Sequence, residues 1–210
     1  MPRALPMFPL GNVLFPYALL PLHVFEARYR ALTEACLAGD GEFGVVLIER
    51  GSEVGGGDTR FTVGTVAKIL EAGRLPDGRY VVAAMGTRRL RVKRWLPEEP
   101  YPRADVELLD DQAPDGAPAS ETEGRRTEVE RLLRRVLALR TELGGEGLSA
   151  DVQLDDEVAR ASFEAAAVAP LGPLDAQRVL ELESPAARFE ALEGLLSEEA
   201  RFLELRLAGS

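Results

Sequence analysis

The spacing of apolar residues along this 210-residue chain changes close to residue 111. Before that point, as in segment 61–69, every second residue falls on one face, which is the period of a β-strand. After it, as in segment 129–137, apolar residues recur three and four positions apart, the period of an α-helix. The change predicts two structural units, the first built from strands and the second from helices.

Charge is distributed unevenly in the same way. Residues 1–111 hold 14 Lys+Arg and 15 Asp+Glu, a net charge of −1, whereas residues 112–210 hold 11 and 20, a net charge of −9. The total of −10 disfavours binding to nucleic acid or to an anionic membrane. Segment 112–120 is rich in Pro, Ala and Gly. We therefore predict a domain at 1–111, a linker at 112–120 and a helical domain at 121–210.

The first unit is expected to be a sheet with one helix. Segment 42–50 is a continuous apolar strand, and the Pro76-Asp77-Gly78 turn joins two further strands as a hairpin. Segments 88–96 and 104–110 add two more. About six strands with no βαβ rhythm predict a small, mostly antiparallel barrel or sandwich.

The opening segment 6–30 combines prolines, apolar residues and the only histidine. Its prolines, at 6, 9, 16 and 21, allow only short extended pieces. From Val24 onward the spacing becomes helical, and Gly39 stands where a helix cap belongs. The apolar face of this predicted helix is formed by Phe25, Tyr29, Leu32 and Cys36.

The second unit is predicted to be an α-helical bundle. Ser120 and Glu123 have the spacing of a capping box, and Gly144-Gly145 ends the helix that follows. Further helices are expected at about 155–168, 174–182 and 185–206, the last of them with Ser184 as its cap and Pro185 in its first turn.

Composition narrows the possible chemistry. One cysteine allows no internal disulfide, and one Cys with one His exclude a Cys-rich zinc site, so we expect no metal and no cofactor. No apolar run approaches the roughly 18–20 residues of a membrane span, and the prolines do not suit a secretory signal. These features predict a soluble, cytoplasmic protein.

His23 and Cys36 are the only pair that suggests a general base with a nucleophile. They lie 13 residues apart, and Cys36 falls on the apolar face of the predicted helix, where a free thiol acts as a small hydrophobic group. The glycine-rich segment 51–58 has no lysine after it and ends in an acid, so it does not suit phosphate. We therefore predict no catalytic residue, with a hydrolase that uses His23 and Cys36 as an alternative.

One cluster of basic residues stands out, at 88–94, and it ends on Trp95. Strand alternation would place Arg89, Arg91 and Lys93 together on one face. That face suits either an RNA backbone or solvent, with acids of the second unit as partners. Because the molecule is acidic overall, we favour the solvated face and expect no nucleic acid.

Three segments resemble the LON substrate-binding domain, the N-terminal domain of ATP-dependent Lon proteases. Segment 78–92 resembles its later core through Gly86 and Arg89, and segment 175–196 resembles its helical tail through Leu180, Glu181 and Arg188. The opening segment matches the signature at Phe8, Pro9, Leu10, Pro16, Pro21, Leu22, Phe25, Glu26, Arg28 and Tyr29. The resemblance covers about residues 5–205.

The resemblance implies an α+β protein, in which a pseudo-barrel related to the RNA-binding PUA fold precedes a helical bundle. It also implies a role in recognising unfolded or exposed polypeptide segments, alone or with a protease or chaperone. The ATPase and Ser-Lys peptidase domains of full-length Lon proteases have no counterpart in these 210 residues. We therefore expect a non-catalytic recognition module, and an RNA-binding PUA-like module is the alternative.

The proline-flanked loop 14–22 is the predicted polypeptide-binding site, through Phe15, Tyr17 and Leu19. The alternative is that this loop packs onto the helical half. Glu26 and Arg28 are expected to be structural ion-pair partners. The core of the first strand and helix is predicted to contain Phe8, Leu10, Val13, Phe25 and Tyr29.

Overall fold

The computed structural model describes residues 3–50, 59–111, 119–145 and 151–209. The glycine-rich segment 51–58 and most of the predicted linker, 112–118, lie outside the described residues. The chain divides into two compact units, Met1–Asp110 and Asp111–Ser210.

The first unit is a six-stranded sheet that closes on itself, in the order β2-β5-β4-β3-β1-β6, with a further pairing between β5 and β6. Every pair is antiparallel except β1 with β3. This confirms the predicted, mostly antiparallel barrel. The strands are β1 (Arg3–Leu10), β2 (Leu19–Val24), β3 (Glu42–Arg50), β4 (Thr59–Arg74), β5 (Tyr80–Leu96) and β6 (Arg103–Leu109), and helix α1 is Ala27–Ala38.

One edge of β5 pairs with β4 along its length, and the other edge pairs with two different strands. Its first part pairs with β2, from Tyr80 to Met85, and its second part pairs with β6, from Arg89 to Leu96. The sequence predicted two strands here, and the structure has one long strand. The structure also has strand β2, which the prolines at 16 and 21 made difficult to predict. Pro21 is tolerated there because β2 lies at the edge of the sheet.

Helix α1 covers one of the two apolar cores of the barrel. Tyr29, Leu32 and Cys36 are buried as predicted, and Tyr29 stacks on Phe8 with ring centroids 4.0 Å apart. The predicted helix cap is confirmed, since the Gly39 amide donates to the Cys36 carbonyl at 3.0 Å.

The prediction of Phe25 as a core residue is wrong. Its side chain is 55% exposed because α1 begins only at Ala27, so the helical period does not set its direction. Leu10 and Val13 are half-buried. The predicted hairpin turn at 76–78 is confirmed, with Gly78 at φ 83° and its amide donating to Leu75 at 2.9 Å.

The second unit contains the four predicted helices: α2 (Ala119–Glu142), α3 (Val158–Val168), α4 (Pro173–Glu181) and α5 (Pro185–Ala208). Ser184 caps α5 as expected, its hydroxyl accepting from the Ala187 amide at 3.3 Å. Ser120 is not a cap, because α2 already includes it, and Glu123 instead pairs with Arg126 at 2.6 Å.

Arg188 is the buried polar centre of this second unit, with no exposed surface. Its guanidinium lies 3.9 Å from the centroid of the Phe163 ring and donates to Ser162 at 2.8 Å, to Leu182 at 3.1 Å and to both carboxylate oxygens of Asp111. A buried charge that is paired and hydrogen-bonded in this way fixes its partners in one arrangement.

Gly86 marks the point where β5 changes neighbours, and it is in close contact with the loop before β2. A Cβ atom at this position would lie 2.2 Å from the Phe15 carbonyl oxygen. The Gly86 amide donates to Ala18 at 2.9 Å, and its carbonyl accepts from Tyr17 at 2.8 Å. Only glycine allows the loop to approach the strand this closely.

We expect Gly86→Ala to destabilise the protein by about 1–3 kcal/mol, because the new methyl group would meet backbone atoms that cannot move aside cheaply. Urea unfolding followed by circular dichroism measures this loss.

Gly73→Ala is the matched control. Gly73 also lies in a strand of the barrel, and a Cβ atom there has nothing within 4 Å. Equal stability of the Gly86→Ala and Gly73→Ala variants would contradict the role given to Gly86.

Candidate functional site

Strand β2 turns alternate side chains to solvent and to the core. Leu19, Pro21 and His23 are exposed, whereas the residues between them are half-buried and Val24 is buried. This alternation is typical of a strand with one solvent-exposed face, but two of the three exposed residues of β2 are apolar.

The neighbouring part of β5 continues this apolar surface. Leu19 lies opposite Met85, Pro21 opposite Ala83 and His23 opposite Val81. Val81 is 40% exposed and Leu19 is 70% exposed. We call these six residues the β2 face. Five of the six are apolar, and an exposed surface that is largely apolar is typical of a site that binds another molecule.

The loop before β2 is held rigidly, and it presents an aromatic ring beside this face. Tyr17 is 41% exposed and has a φ of 66°, in the left-handed region that few non-glycine residues adopt. The Tyr17 amide donates to the Gly86 carbonyl, the Gly86 amide donates to the carbonyl of the next loop residue, Ala18, and the Thr65 hydroxyl donates to the Leu14 carbonyl at 2.5 Å. Strained backbone that its surroundings hold in place is characteristic of functional sites.

Of the three predicted binding residues, Tyr17 and Leu19 are exposed, whereas Phe15 is buried, with 4% of its surface accessible. The expectation of an exposed Phe15 is therefore wrong. The loop folds back on Gly86, and the Phe15 side chain takes a place in the interior.

The outer edge of β2 is free of strand partners in the described chain, since β2 pairs only with β5. Proline has no N–H, so Pro21 cannot form a doubly bonded pair with Ala83. The backbone groups of Pro21, and with them those of Leu19 and His23, must therefore point away from β5. The edge thus presents two amides and three carbonyls.

A groove of about 180 Å³ runs along this edge, between β2 and the pair formed by β1 and α1. Phe8 and Leu10 of β1 and Tyr29 of α1 line one side, and residues 21–26 line the other. An edge with free backbone groups beside an apolar groove is the arrangement that binds extended peptides by strand addition.

The ion pair predicted between Glu26 and Arg28 is present at one end of the groove. The Arg28 Nε atom lies 3.1 Å from a Glu26 carboxylate oxygen, and the guanidinium stacks over the Tyr29 ring at 4.4 Å from its centroid. Both side chains are largely covered, so the pair fixes the rim of the groove beside Tyr29.

Cys36 and His23 do not form a catalytic pair. Cys36 is buried, and its thiol donates to the Glu42 carbonyl at 3.4 Å, whereas His23 is exposed on β2. Burial, with a further contribution from the Asp40 carboxylate, raises the pKa of the Cys36 thiol to about 12. A thiol that stays protonated at neutral pH is not a nucleophile, so Cys36 acts as a core residue.

The basic segment of β5 is not a free cationic face. Arg89, predicted to be solvated, is buried with 2% exposure, and it lies between Thr65 of β4 and Leu109 of β6 in the sheet. Lys93 pairs with Glu107 at 2.8 Å and Arg94 with Asp105 at 2.6 Å. The acidic partners lie on β6 rather than on the second unit, and the Lys93 ammonium lowers the pKa of Glu107.

The parts of the chain that the structure describes hold neither a cluster of metal ligands nor a membrane-spanning helix. No group of three or more His, Cys, Asp or Glu side chains there has an arrangement that could hold a metal ion. No helix among those residues is long and apolar enough to span a membrane.

Comparison with known proteins identifies the family. Residues 4–198 match the family described as the ATP-dependent protease La (LON) substrate-binding domain, so the chain belongs to this family. It is 32% identical over 204 residues to Lon protease 2 of Herpetosiphon aurantiacus and 30% identical over 208 residues to the Lon protease of Cytophaga hutchinsonii. These matches cover 96% and 98% of the chain but only 24% and 25% of the relatives, so the chain spans about a quarter of their length.

Solved structures agree with this assignment. A Lon N-terminal domain protein from Xanthomonas campestris matches with a TM-score of 0.64 and 28% identity, covering 90% of this chain and 96% of that one. The N-terminal domain of a Lon protease from the Mycobacterium avium complex has a TM-score of 0.65 at 19% identity, over 93% and 98% of the two chains, which supports the fold.

The sequence alone did not identify the β5 residues of the β2 face, and Phe25, predicted as a core residue, lines the groove instead. A usable signal was present, since Leu19, Pro21 and His23 alternate with more buried neighbours, as do Val81, Ala83 and Met85. Reading that signal required knowing that these two segments pair.

We expect Tyr17→Gly to be more stable than Tyr17→Ala by about 0.5–1 kcal/mol, because both variants lose the ring and only glycine adopts a φ of 66° without the strain of a Cβ atom. Chemical unfolding measures the difference.

Tyr17→Ala serves as the control, since alanine loses the same ring but keeps the backbone strain. If the alanine variant were as stable as the glycine variant, the left-handed backbone would not be the cause.

The raised pKa of Cys36 predicts slow alkylation of the folded protein. Between about pH 8 and pH 10 the rate of iodoacetamide labelling should rise steeply for the chain unfolded in guanidinium and stay low for the native protein. Mass spectrometry after timed quenching gives both rates. Parallel increases in the two states would refute the burial of this thiol.

Proposed function

We propose that this domain recognises exposed, extended segments of other polypeptide chains and that it does so without catalysing a reaction. The β2 face is the observation that carries the proposal. Leu19, close in sequence to the exposed Tyr17, and Val81, near the other end of the strand pair, expose apolar surface. Covering that surface with apolar side chains of an unfolded chain would be favourable.

The free edge of β2 supports an extended rather than a helical ligand. The outward amides of Leu19 and His23, and the outward carbonyls of these two residues and of Pro21, would pair with the main chain of a bound segment, independently of sequence. The adjoining groove, with Phe8 and Tyr29 on one side, has room for one apolar side chain. Main-chain pairing with one apolar pocket suits a module that accepts many sequences.

The family supports the same proposal, since its description names a substrate-binding domain. In this proposal the domain binds exposed polypeptide in the cytoplasm and delivers it to a protease or a chaperone.

The buried, protonated thiol of Cys36 argues against a hydrolase. The ion pairs of Lys93 and Arg94 leave less free positive charge for RNA than the sequence suggested.

Fluorescence anisotropy of a labelled, permanently unfolded polypeptide, titrated with this protein, tests the proposal. We expect binding by the unmodified chain and about tenfold or greater loss in a Tyr17→Ser/Leu19→Ser variant, because these are two large apolar side chains that the β2 face and its loop expose. Circular dichroism verifies that the variant is folded.

The matched control is Leu37→Ser/Leu205→Ser, which also removes two exposed apolar side chains, on α1 and α5. It should bind as the unmodified chain does. Loss of binding in both variants would indicate a general apolar effect, and no binding by the unmodified chain would refute the proposal.

A probe peptide N-methylated on alternate amides should bind more weakly if its main chain pairs with β2.

A further inference from the structure

The helical unit contains a second pocket, of about 320 Å³, between the α3–α4 connection and the C-terminal half of α5. Leu171 contributes from the connection, and Leu195 and Phe202 contribute from α5. Phe202 is 56% exposed, although burial of a phenylalanine ring from solvent is favourable. The pocket therefore has an apolar wall that the described chain leaves open to solvent.

The rim of this pocket is acidic. Asp175, Glu198 and Glu199 line it, and none of its lining residues is Lys or Arg. Asp175 is paired with Arg178 at 2.9 Å, and Glu199 lies 4.0 Å from Arg140.

Glu198 differs from the other two acids of the rim. It is exposed and forms no ion pair with the described residues. Residues 112–210 carry a net charge of −9, so the field around this pocket is negative as well.

We infer that this pocket binds a polypeptide segment in which a bulky apolar side chain stands beside Lys or Arg. The apolar side chain would cover Leu195 and Phe202, and the cation would approach Glu198. The guanidinium of Arg206 lies 5.9 Å from the centroid of the Phe202 ring, in a cation–π contact. The face of this ring is therefore compatible with a cation.

The same chemistry argues against other occupants. An acidic segment or a nucleic acid would meet three carboxylates, and a purely apolar segment would leave the Glu198 charge unpaired next to it. This inference does not rest on the proposed function of the β2 face, because the two surfaces lie on different units and differ in charge.

Two labelled peptides test the inference with the full chain. They share the same Leu and Phe residues and differ only in carrying Lys and Arg or, at the same positions, Glu. We expect the cationic peptide to bind, its affinity to fall as salt is raised, and the anionic peptide to bind at least about tenfold more weakly.

Two pairs of variants locate the binding. Glu198→Gln/Glu199→Gln should weaken binding of the cationic peptide about three- to tenfold, whereas Glu142→Gln/Glu190→Gln, with the same change in charge at exposed positions outside the pocket, should not. Phe202→Ser should weaken it further, whereas Leu205→Ser, at a neighbouring exposed position outside the pocket, should have no effect.

The outcomes are decisive in both directions. Equal binding of the two peptides, equal losses in the pocket and control variants, or no binding of the cationic peptide would each overturn the inference. Both peptides are also titrated into the Tyr17→Ser/Leu19→Ser variant, in which the β2 face no longer binds polypeptide. There the cationic peptide should still bind better than the anionic one, so that failure of one surface is distinguishable from failure of the other.

Discussion

The contact between Gly86 and the loop before β2 determines where the candidate binding surface lies. Gly86 exchanges two backbone hydrogen bonds with this loop, at a distance that excludes any Cβ atom. The contact directs Phe15 inward and Tyr17 outward, and it sets the start of β2. Because β2 then pairs with the first part of β5, one short glycine contact organises both the apolar face and the free edge beside it.

In the helical unit, the fully buried Arg188 connects groups that are distant in sequence. Its guanidinium bonds to Ser162 of α3, to the carbonyl of Leu182 and to Asp111 at the start of the unit. Removing one partner of such a buried charge costs more than the pair itself contributes, because an unpaired ion would remain. Substitution of Arg188 or of Asp111 alone is therefore expected to destabilise the helical unit.

Much of the architecture could be predicted from the sequence because it depends on local signals. The helices of the second unit follow from their apolar spacing and from Ser184, and the hairpin follows from its Pro-Asp-Gly turn. The errors concern contacts between distant segments. Nothing near Phe15 indicates that its loop meets Gly86, and nothing near Phe25 indicates that α1 begins two residues later. The free edge of β2 likewise depends on which strands pair.

Pro21 has a consequence for how long a bound chain would remain. A strand with an unbroken open edge can extend its ladder without limit, and copies of the same protein then join edge to edge. Pro21 removes one donor from the middle of a six-residue strand, so a continuous ladder cannot form there. Fewer hydrogen bonds mean faster dissociation. Under the proposed function, the edge would release a bound chain quickly, and the missing donor also disfavours edge-to-edge pairing between copies of this protein.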